Sequence, residues 1–221
     1  MKLIDLSQPV FDAAPNCPAH PPVRSAPTMR HPHDPWHWET LTLASHTGSH
    51  VDAPLHRIPE GASIDAIPLE QFVGPACIAD LRGIAPRTRI TPDLLQARLP
   101  DHPLNDIIVL LATGWGDLRA KSDLWLYQSP MLTPEAAHWL VARRIRGVGI
   151  DHWGIGGWDT DNDAEVHAIL LAQGIWIVEE LRFPPEVFAL PAPQTFMALP
   201  VHLRGHSGAW CRPVLIVREA G

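Results

Sequence analysis

Three histidines and one aspartate lie close together in the sequence: His46, His50, Asp52 and His56. All four are on even-numbered positions, and alternate residues of an extended chain share one face, so their side chains can point the same way. A straight strand would spread them over roughly 33 Å at ~3.3 Å per residue, whereas ligand bonds to one zinc ion are only about 2.0–2.2 Å long. The segment must therefore bend, which Gly48 and Pro54 permit. We predict a bent, metal-binding loop that follows a strand.

The types of ligand narrow the choice of metal. Imidazole and carboxylate groups together suit Zn, Mn or Fe. No thiolate site is expected, because the three cysteines are scattered and form no CxxC pair, which also indicates a reducing compartment. Two later residues offer further ligands: His167 on a predicted helix, and Glu179 at the end of a predicted strand, where α/β proteins place many of their sites. From the residues alone, a structural histidine and a solvated glutamate are the alternatives for these two positions.

Composition places the chain among globular proteins and excludes some partners. Of its 221 residues, 46% are hydrophobic and 19% are charged, and the net charge is −7 without any run of Lys or Arg. We therefore expect a single domain over residues 1–221, with neither nucleic acid nor a membrane surface as a partner. Residues 1–5 begin no signal peptide, and the longest apolar run, residues 107–112, is too short to span a bilayer. A cytoplasmic protein that acts on a small-molecule substrate is expected.

Strands and helices alternate in the middle of the chain, and both ends are rich in strands. The predicted strands are residues 3–6, 38–45, 76–80, 106–113, 147–151, 175–178, 200–203 and 214–217. Capping signals predict helices over residues 91–99, 133–146 and 163–172. Residues 9–35 are too rich in proline for a regular element and should form a long N-terminal loop or arm. We therefore predict an α/β fold, a mixed central β-sheet with flanking helices.

Residues 46–56 resemble the HxGTHxDAPxH signature of the cyclase family, which includes bacterial kynurenine formamidases and isatin hydrolases. Other segments are similar too: residues 5–9 to the family's opening, residues 112–115 to the end of its central strand, and residues 167–181 to its histidine, helix and IVENL segment, here IVEEL. The resemblance covers nearly the whole chain. It implies the swivelling β/α/β-like cyclase fold and a metal-dependent hydrolase.

Carried over residue by residue, the resemblance implies that His46, His50 and Asp52 hold one metal ion. Asp52 would bridge to a second ion held by His167 and Glu179, and His56 would donate and accept protons. The implied cofactor is a divalent metal, Zn or Mn, with one or two ions. Water activated by the metal would attack the carbonyl of an aryl formamide, amide or cyclic amide, and the histidine would move the proton to the leaving nitrogen.

The residues that bind substrate are left unassigned. Cys17 stands where the formamidase pattern has a substrate-contacting tryptophan before Pro-Gly-Asp. Four tryptophans are candidates to rebuild an aromatic pocket, with simple packing as the alternative: Trp36, Trp38, Trp153 and Trp158. The sequence therefore does not choose between a kynurenine formamidase proper and an isatin-type ring-opening hydrolase.

Two rival functions keep the same metal-binding residues. One is a metal-dependent cyclase, dehydratase or lactone hydrolase. The other is a non-catalytic metal-binding subunit, against which the additional imidazole of His56 argues. The proline-rich arm, the excess of tryptophan and the family's habit of assembling predict a homodimer or homotetramer.

Overall fold

The protein is described by a computed structural model of residues 1–217, in which a nine-stranded mixed sheet is the largest element. The strands are β1 (Lys2–Asp5), β2 (Arg24–Met29), β3 (Trp38–Thr42), β4 (His50–Asp52), β5 (Val73–Asp80), β6 (Arg89–Ile90), β7 (Ile108–Ala112), β8 (Met131–Leu132), β9 (Gly147–Ile150), β10 (Trp176–Glu179), β11 (Gln194–Met197), β12 (Gly208–Trp210) and β13 (Val214–Val217). The order in the large sheet is β1-β13-β11-β5-β7-β9-β10-β4-β12. Parallel pairing joins β5, β7, β9 and β10, and the outer neighbours pair antiparallel.

In the described part of the chain, four helices accompany this sheet: α1 (Pro92–Arg98), α2 (Asp123–Tyr127), α3 (Pro134–Ala142) and α4 (Thr160–Leu171). Leu95, Leu140 and Leu170 from α1, α3 and α4 share one hydrophobic cluster with alternate residues of β7, such as Val109 and Leu111. The intervening β7 residues enter a second cluster on the opposite face, which loops and short 3-10 turns cover. β7 is buried along its whole length, as a central parallel strand should be. The predicted α/β fold with a mixed central sheet is confirmed.

The predicted starts of two helices are confirmed by their caps. Thr91 Oγ1 accepts from the backbone N–H of Leu94, and Thr133 Oγ1 accepts from that of Ala136. These bonds satisfy backbone donors that the first turn of a helix leaves free. No helix among residues 1–217 is long and apolar enough to cross a membrane.

Helix α3 ends before residue 146, which is the end predicted from the sequence. α3 stops at Ala142, and Arg144 takes a left-handed φ of 56°. Arg146 then leaves the helix direction to bind Asp106, with Nη2 2.6 Å from Oδ2. Gly147 does not cap the helix but begins β9, where a Cβ would lie 2.4 Å from Trp176 Cε2.

The last helix begins at Thr160, before the predicted start at residue 163. Asp159 is its N-cap, and its Oδ1 accepts from the backbone N–H groups of Asp161 and Asn162. Asp163 therefore lies within the first turn instead of capping it. Its carboxylate is left available for other contacts.

The N-terminal arm, residues 9–35, contains a strand, contrary to the prediction. β2 pairs only with β3, in a two-stranded sheet, so its backbone N–H groups are required for sheet hydrogen bonds along only one edge. The register shifts between Pro27 and Met29, which is where a strand tolerates a proline. Every residue of β3 is exposed, so this hairpin projects from the rest of the fold.

Two other local predictions were wrong. Residues 200–203 form only an isolated bridge, Pro200 with Cys211, rather than a strand. Residues 50–52 were predicted as part of a loop but form β4, which lies between β10 and β12. A three-residue strand between a glycine turn and a proline has too few residues to show a periodic pattern.

Candidate metal centre

β4 carries the middle of the histidine segment into the large sheet. His50 lies directly opposite Glu179 on β10, and all three residues of β4 are buried. Gly48, with a φ of 63°, turns the chain before the strand. The 3-10 turn Pro54–His56 bends it immediately afterwards. The predicted bend is therefore present, at both ends of a short strand.

His50 presents a nitrogen lone pair to two carboxylates. Its Nδ1 is 2.8 Å from the backbone oxygen of Gly48. Since a carbonyl oxygen only accepts, Nδ1 carries the proton, and Nε2 of the neutral ring is the free acceptor. Nε2 lies 3.3 Å from Asp52 Oδ1 and 3.6 Å from Glu179 Oε2. Such an arrangement is repulsive unless a proton or a metal ion lies between these atoms.

His167 on α4 repeats this arrangement from the other side. Its Nδ1 is 2.8 Å from the backbone oxygen of Asp163, one turn earlier in the helix. Its Nε2 lies 3.5 Å from Asp52 Oδ2 and 3.4 Å from Glu179 Oε1. Asp52 Oδ2 is buried and has no hydrogen-bond partner among the described residues. Histidines that bind metal usually donate their other N–H to a carbonyl in this way, so these residues fit a divalent cation.

The electrostatics of the cluster indicate a shortage of positive charge. Burial, helped by the charge of Asp52, raises the pKa of Glu179 to about 7 against the effect of His167. Burial alone would lower the pKa of His50, but the Asp52 and Glu179 carboxylates outweigh it and raise that pKa to about 9. The pKa of His167 is raised well above its ordinary value against burial, chiefly by Asp163. The buried carboxylates thus require cations, which either protonated imidazoles or metal ions supply.

His46 differs from His50 and His167, because both of its ring nitrogens have side-chain partners. Nδ1 is 2.6 Å from Asp52 Oδ1, and Nε2 is 2.9 Å from Ser207 Oγ. To bind an ion, His46 must give up one of these hydrogen bonds. Gly208 makes room for the ring, since a Cβ there would lie 2.5 Å from His46 Cε1.

Among residues 1–217, three groups of side chains each bring possible ligand atoms within 4.8 Å of one another. They are His46, Asp52 and His56; His50, Asp52 and Glu179; and Asp163, His167 and Glu179. All six residues predicted from the sequence therefore meet in one place. Asp163 is not among the ligands predicted from the sequence, although its position four residues before His167 on a helix was a usable signal.

His56 lies at the open side of the cluster. It is solvent-exposed at the end of its 3-10 turn. Its ring centroid is 4.0 Å from that of His46 and 5.6 Å from that of His167. This position suits a group that exchanges protons with a substrate and with water.

A cavity of about 150 Å³ opens onto the cluster. Besides the residues already described, it is lined by Cys17, His20 and Trp153. Burial and the imidazoles of His46 and His50 lower the pKa of His20. Of the four candidate tryptophans, only Trp153 lines this cavity. Trp36 and Trp38 are exposed, and Trp158 lies under the guanidinium of Arg87.

A buried ion pair fixes the N-terminal arm beside the cluster. Arg119 Nε donates to Glu180 Oε2 at 2.6 Å, and both side chains are almost completely buried. The two other guanidinium nitrogens of Arg119 donate to the backbone oxygens of Pro9 and Pro15. Ser49 Oγ donates to the backbone oxygen of Glu180 at 2.7 Å. The arm, β10 and the histidine segment are therefore tied together around the site.

The sequence matches the model of the family Cyclase, described as "Putative cyclase", over residues 4–156. The chain belongs to the cyclase family. This cyclase-family protein is 31% identical over 220 residues to the kynurenine formamidase of Salinibacter ruber (strain DSM 13855 / M31), and the match covers 97% of each chain.

Solved structures agree with this membership. Isatin hydrolase A from Labrenzia aggregata, bound to benzyl benzoate, is similar with a TM-score of 0.83 and 25% identity, over 99% of this chain and 94% of that one. A potential metal-dependent hydrolase with cyclase activity is similar with a TM-score of 0.79 and 29% identity, over 99% of each chain. The predicted family, fold and hydrolase class are confirmed.

Proposed function

We propose that this cyclase-family protein is a metal-dependent hydrolase that cleaves the C–N bond of an aryl formamide, an amide or a cyclic amide. The observation that carries the proposal is the pair of histidine Nε2 atoms, of His50 and His167, that face the buried carboxylates of Asp52 and Glu179. The names of the similar proteins, a kynurenine formamidase and an isatin hydrolase, support the C–N bond as the target.

The proposed ligands are those that the sequence predicted. His46, His50 and Asp52 would hold one divalent ion, Zn or Mn, and His167 and Glu179 a second ion bridged by Asp52. When bound, such an ion lowers the pKa of a coordinated water from ~15.7 toward ~7 and polarises a carbonyl group. Asp52 is suited to the bridging role because its Oδ1 lies toward His50 and its Oδ2 toward His167.

The chain's own contribution to the reaction is the movement of a proton and the exclusion of water. His56, exposed beside the cluster, takes a proton from the attacking water and delivers it to the nitrogen that leaves. Burial lowers the pKa of His56 to about 4, against the charge of Asp52, so its ring is neutral at pH 7 and can accept a proton. Trp153 and the N-terminal arm close the sides of the cavity.

The test combines a substrate panel with two variants. Purified protein loaded with Zn or Mn is offered aryl formamides, isatins and lactones, and we expect hydrolysis of formamides or cyclic amides in preference to lactones. The His56→Ala variant should lose about 10²–10⁴-fold of the rate while elemental analysis finds the same bound metal. His33→Ala removes an exposed histidine of the arm and serves as the control. Hydrolysis of lactones alone, or full activity of His56→Ala, contradicts the proposal.

We also propose that the protein forms a homodimer or homotetramer. The β2–β3 hairpin supports this, because its large apolar residues are exposed: Trp38 is 45% exposed and Leu41 55%. Trp36, just before β3, is 70% exposed. Light scattering coupled to size-exclusion chromatography would give the mass directly, and a monomeric mass at micromolar concentration would refute this assembly.

A further inference from the structure

Residues 154–157 form a tight turn that lies beside the candidate metal centre. The backbone N–H of Gly157 donates to the backbone oxygen of Gly154 at 2.9 Å, which closes this 154–157 turn. All four of its residues are buried. Gly156 lets the turn approach α4 closely, since a Cβ there would collide with the backbone of Asp163. The polar backbone groups of the turn are shut away from water and need partners within the protein.

Two neighbouring N–H groups of the turn are directed at carboxylates of the candidate site. The N–H of Ile155 donates to Oε1 of Glu179 at 2.7 Å, and that of Gly156 donates to Oδ1 of Asp163 at 2.8 Å. The same Oε1 faces Nε2 of His167 at 3.4 Å. A carboxylate oxygen has two lone pairs, so it can accept this N–H and still face a cation. The hydrogen bond from Ile155 therefore restrains the rotation of the Glu179 carboxylate in the site.

The side-chain amide of Asn162, in the first turn of α4, fixes the orientation of the 154–157 turn. Its Nδ2 donates to the backbone oxygen of Gly156 at 2.8 Å and to that of Leu132 at 2.9 Å. Because carbonyl oxygens only accept, both hydrogens of the amide are used. The side chain is buried, so water does not compete for these bonds.

The amide of Asn162 begins a chain of three hydrogen bonds that ends at the carboxylate of Glu179. It donates to the peptide group between residues 156 and 157, whose N–H donates to the peptide group between residues 154 and 155. That second peptide group donates in turn to Glu179. Buried hydrogen bonds that form a chain polarise and strengthen one another. The orientation of this candidate ligand therefore depends on a side chain that does not touch it.

Other contacts already attach the 154–157 turn to the rest of the fold. The N–H of Leu132, on β8, donates directly to the backbone oxygen of Ile155 at 2.9 Å. The N-cap of α4 is Asp159 and not Asn162. What Asn162 adds is the fixed orientation of the peptide groups that lead to Glu179.

We propose that Asn162 is a positioning residue, which acts through the 154–157 turn to orient the carboxylate of Glu179 toward a divalent cation. This inference rests on the proposed function, because Glu179 is one of the metal ligands proposed there. Removing a group that orients a metal ligand typically weakens metal binding about 10–100-fold. Asn162 thus controls the affinity of the centre for metal without being a ligand.

The first test measures the affinity for metal. A competition titration with a chromophoric chelator compares the binding of Zn and of Mn by the wild type, Asn162→Ala and Asn162→Asp. Both variants should bind about 10–100-fold more weakly than the wild type. Asn105→Ala, which changes an exposed asparagine, is the control and should bind as the wild type does.

The aspartate variant separates the hydrogen bonds from packing and from charge. Asn162→Asp keeps the size of the side chain but loses the amide donors, so a packing role would leave the affinity unchanged. Any negative charge that it adds would by itself strengthen the binding of a cation. Weaker binding by this variant is therefore expected only if the donors of Asn162 are what matters.

The second test observes the hydrogen bond to Glu179 in the metal-free protein. In protein labelled with 15N-isoleucine, the amide proton of Ile155 should resonate downfield because it is bonded to a carboxylate, and Ile155→Val identifies its signal. Glu179→Gln and Asn162→Ala should both move this signal upfield. Asn105→Ala should leave it in place.

An unchanged or higher metal affinity in either Asn162 variant would overturn the inference. So would an Ile155 signal that Asn162→Ala leaves in place, or a wild type that binds neither Zn nor Mn. If Asn162→Ala does not fold, Asn162→Asp supplies both measurements. Failure of the proposed function shows separately, as a protein whose metal affinity depends on Asn162 but which hydrolyses nothing in the substrate panel.

Discussion

The ion pair between Arg119 and Glu180 allows a quantitative prediction, because it is buried and holds three segments together. The side chains are 6% and 1% exposed, and the Nε–Oε2 distance is 2.6 Å. Arg119→Met removes the charge and all three hydrogen bonds of the guanidinium. It leaves the Glu180 carboxylate buried without its cation.

The expected loss of stability follows from that burial. Removing one partner of a buried ion pair typically costs about 3–5 kcal/mol. For a chain of this size each kcal/mol lowers Tm by about 2–4 °C, so the decrease should be roughly 6–20 °C. The exposed pair of Arg182 with Asp117 is the control: its N–O distance is 3.0 Å, and both side chains are 58% exposed. Arg182→Met should change the free energy of unfolding by less than about 1 kcal/mol.

The assay is urea unfolding followed by tryptophan fluorescence, repeated with Glu180→Gln and with the double variant. Because the double variant has no uncompensated charge, its loss should be smaller than the sum of the single losses, by about 0.5–3 kcal/mol. Arg119→Lys, which keeps the charge but not the planar fork, should retain part of the stability and raise KM more than it lowers kcat, since the arm is held less firmly. An Arg119→Met effect no larger than that of Arg182→Met would refute this reasoning.

Three further predictions concern the metal centre. Asp52→Asn should lose both stoichiometric metal, measured by elemental analysis, and activity; retention of either contradicts its bridging position. Gly208→Ala would place a Cβ 2.5 Å from His46 Cε1 and 2.6 Å from the Val51 oxygen. Metal affinity, measured by a competition titration, should therefore fall about 10–100-fold. An unchanged affinity would count against His46 as a ligand. An ion present at 100 times its Kd stabilises the folded protein by about 2.7 kcal/mol. Removing it with EDTA should therefore lower Tm by roughly 5–11 °C. An unaltered Tm would indicate that no ion stabilises the fold.

The local chemistry of the site was predictable from the sequence. His46, His50, Asp52 and His56 are close in the chain, so the nature of their side chains and a bend were enough to suggest a common site. The fold class could also be predicted, because α1 and α3 begin at Thr-Pro pairs. In each pair the threonine caps the helix through a hydrogen bond to a residue only three positions later.

The remainder depended on contacts between distant segments. β4 is a strand because β10 and β12 pair with it on both sides, and three residues alone carry no such signal. His167 and Glu179 were assigned through resemblance and not from their own surroundings. Asp163 was misread as a cap, since Asp159 competes for that role and only the structure shows which carboxylate faces the helix end.

The orientation of the two candidate ligands His50 and His167 is nevertheless determined locally, even though the site is assembled from distant segments. His50 is held by a carbonyl two residues earlier, at the Gly48 turn, and His167 by a carbonyl four residues earlier, within α4. The carbonyl that fixes the tautomer of each ring therefore belongs to the same segment as the ring. When β4, β10 and α4 pack together, the Nε2 atoms converge on Asp52 and Glu179 with their lone pairs already directed inward. A cation at this place would satisfy four groups at once, so binding of a metal and folding of this part of the chain would support each other.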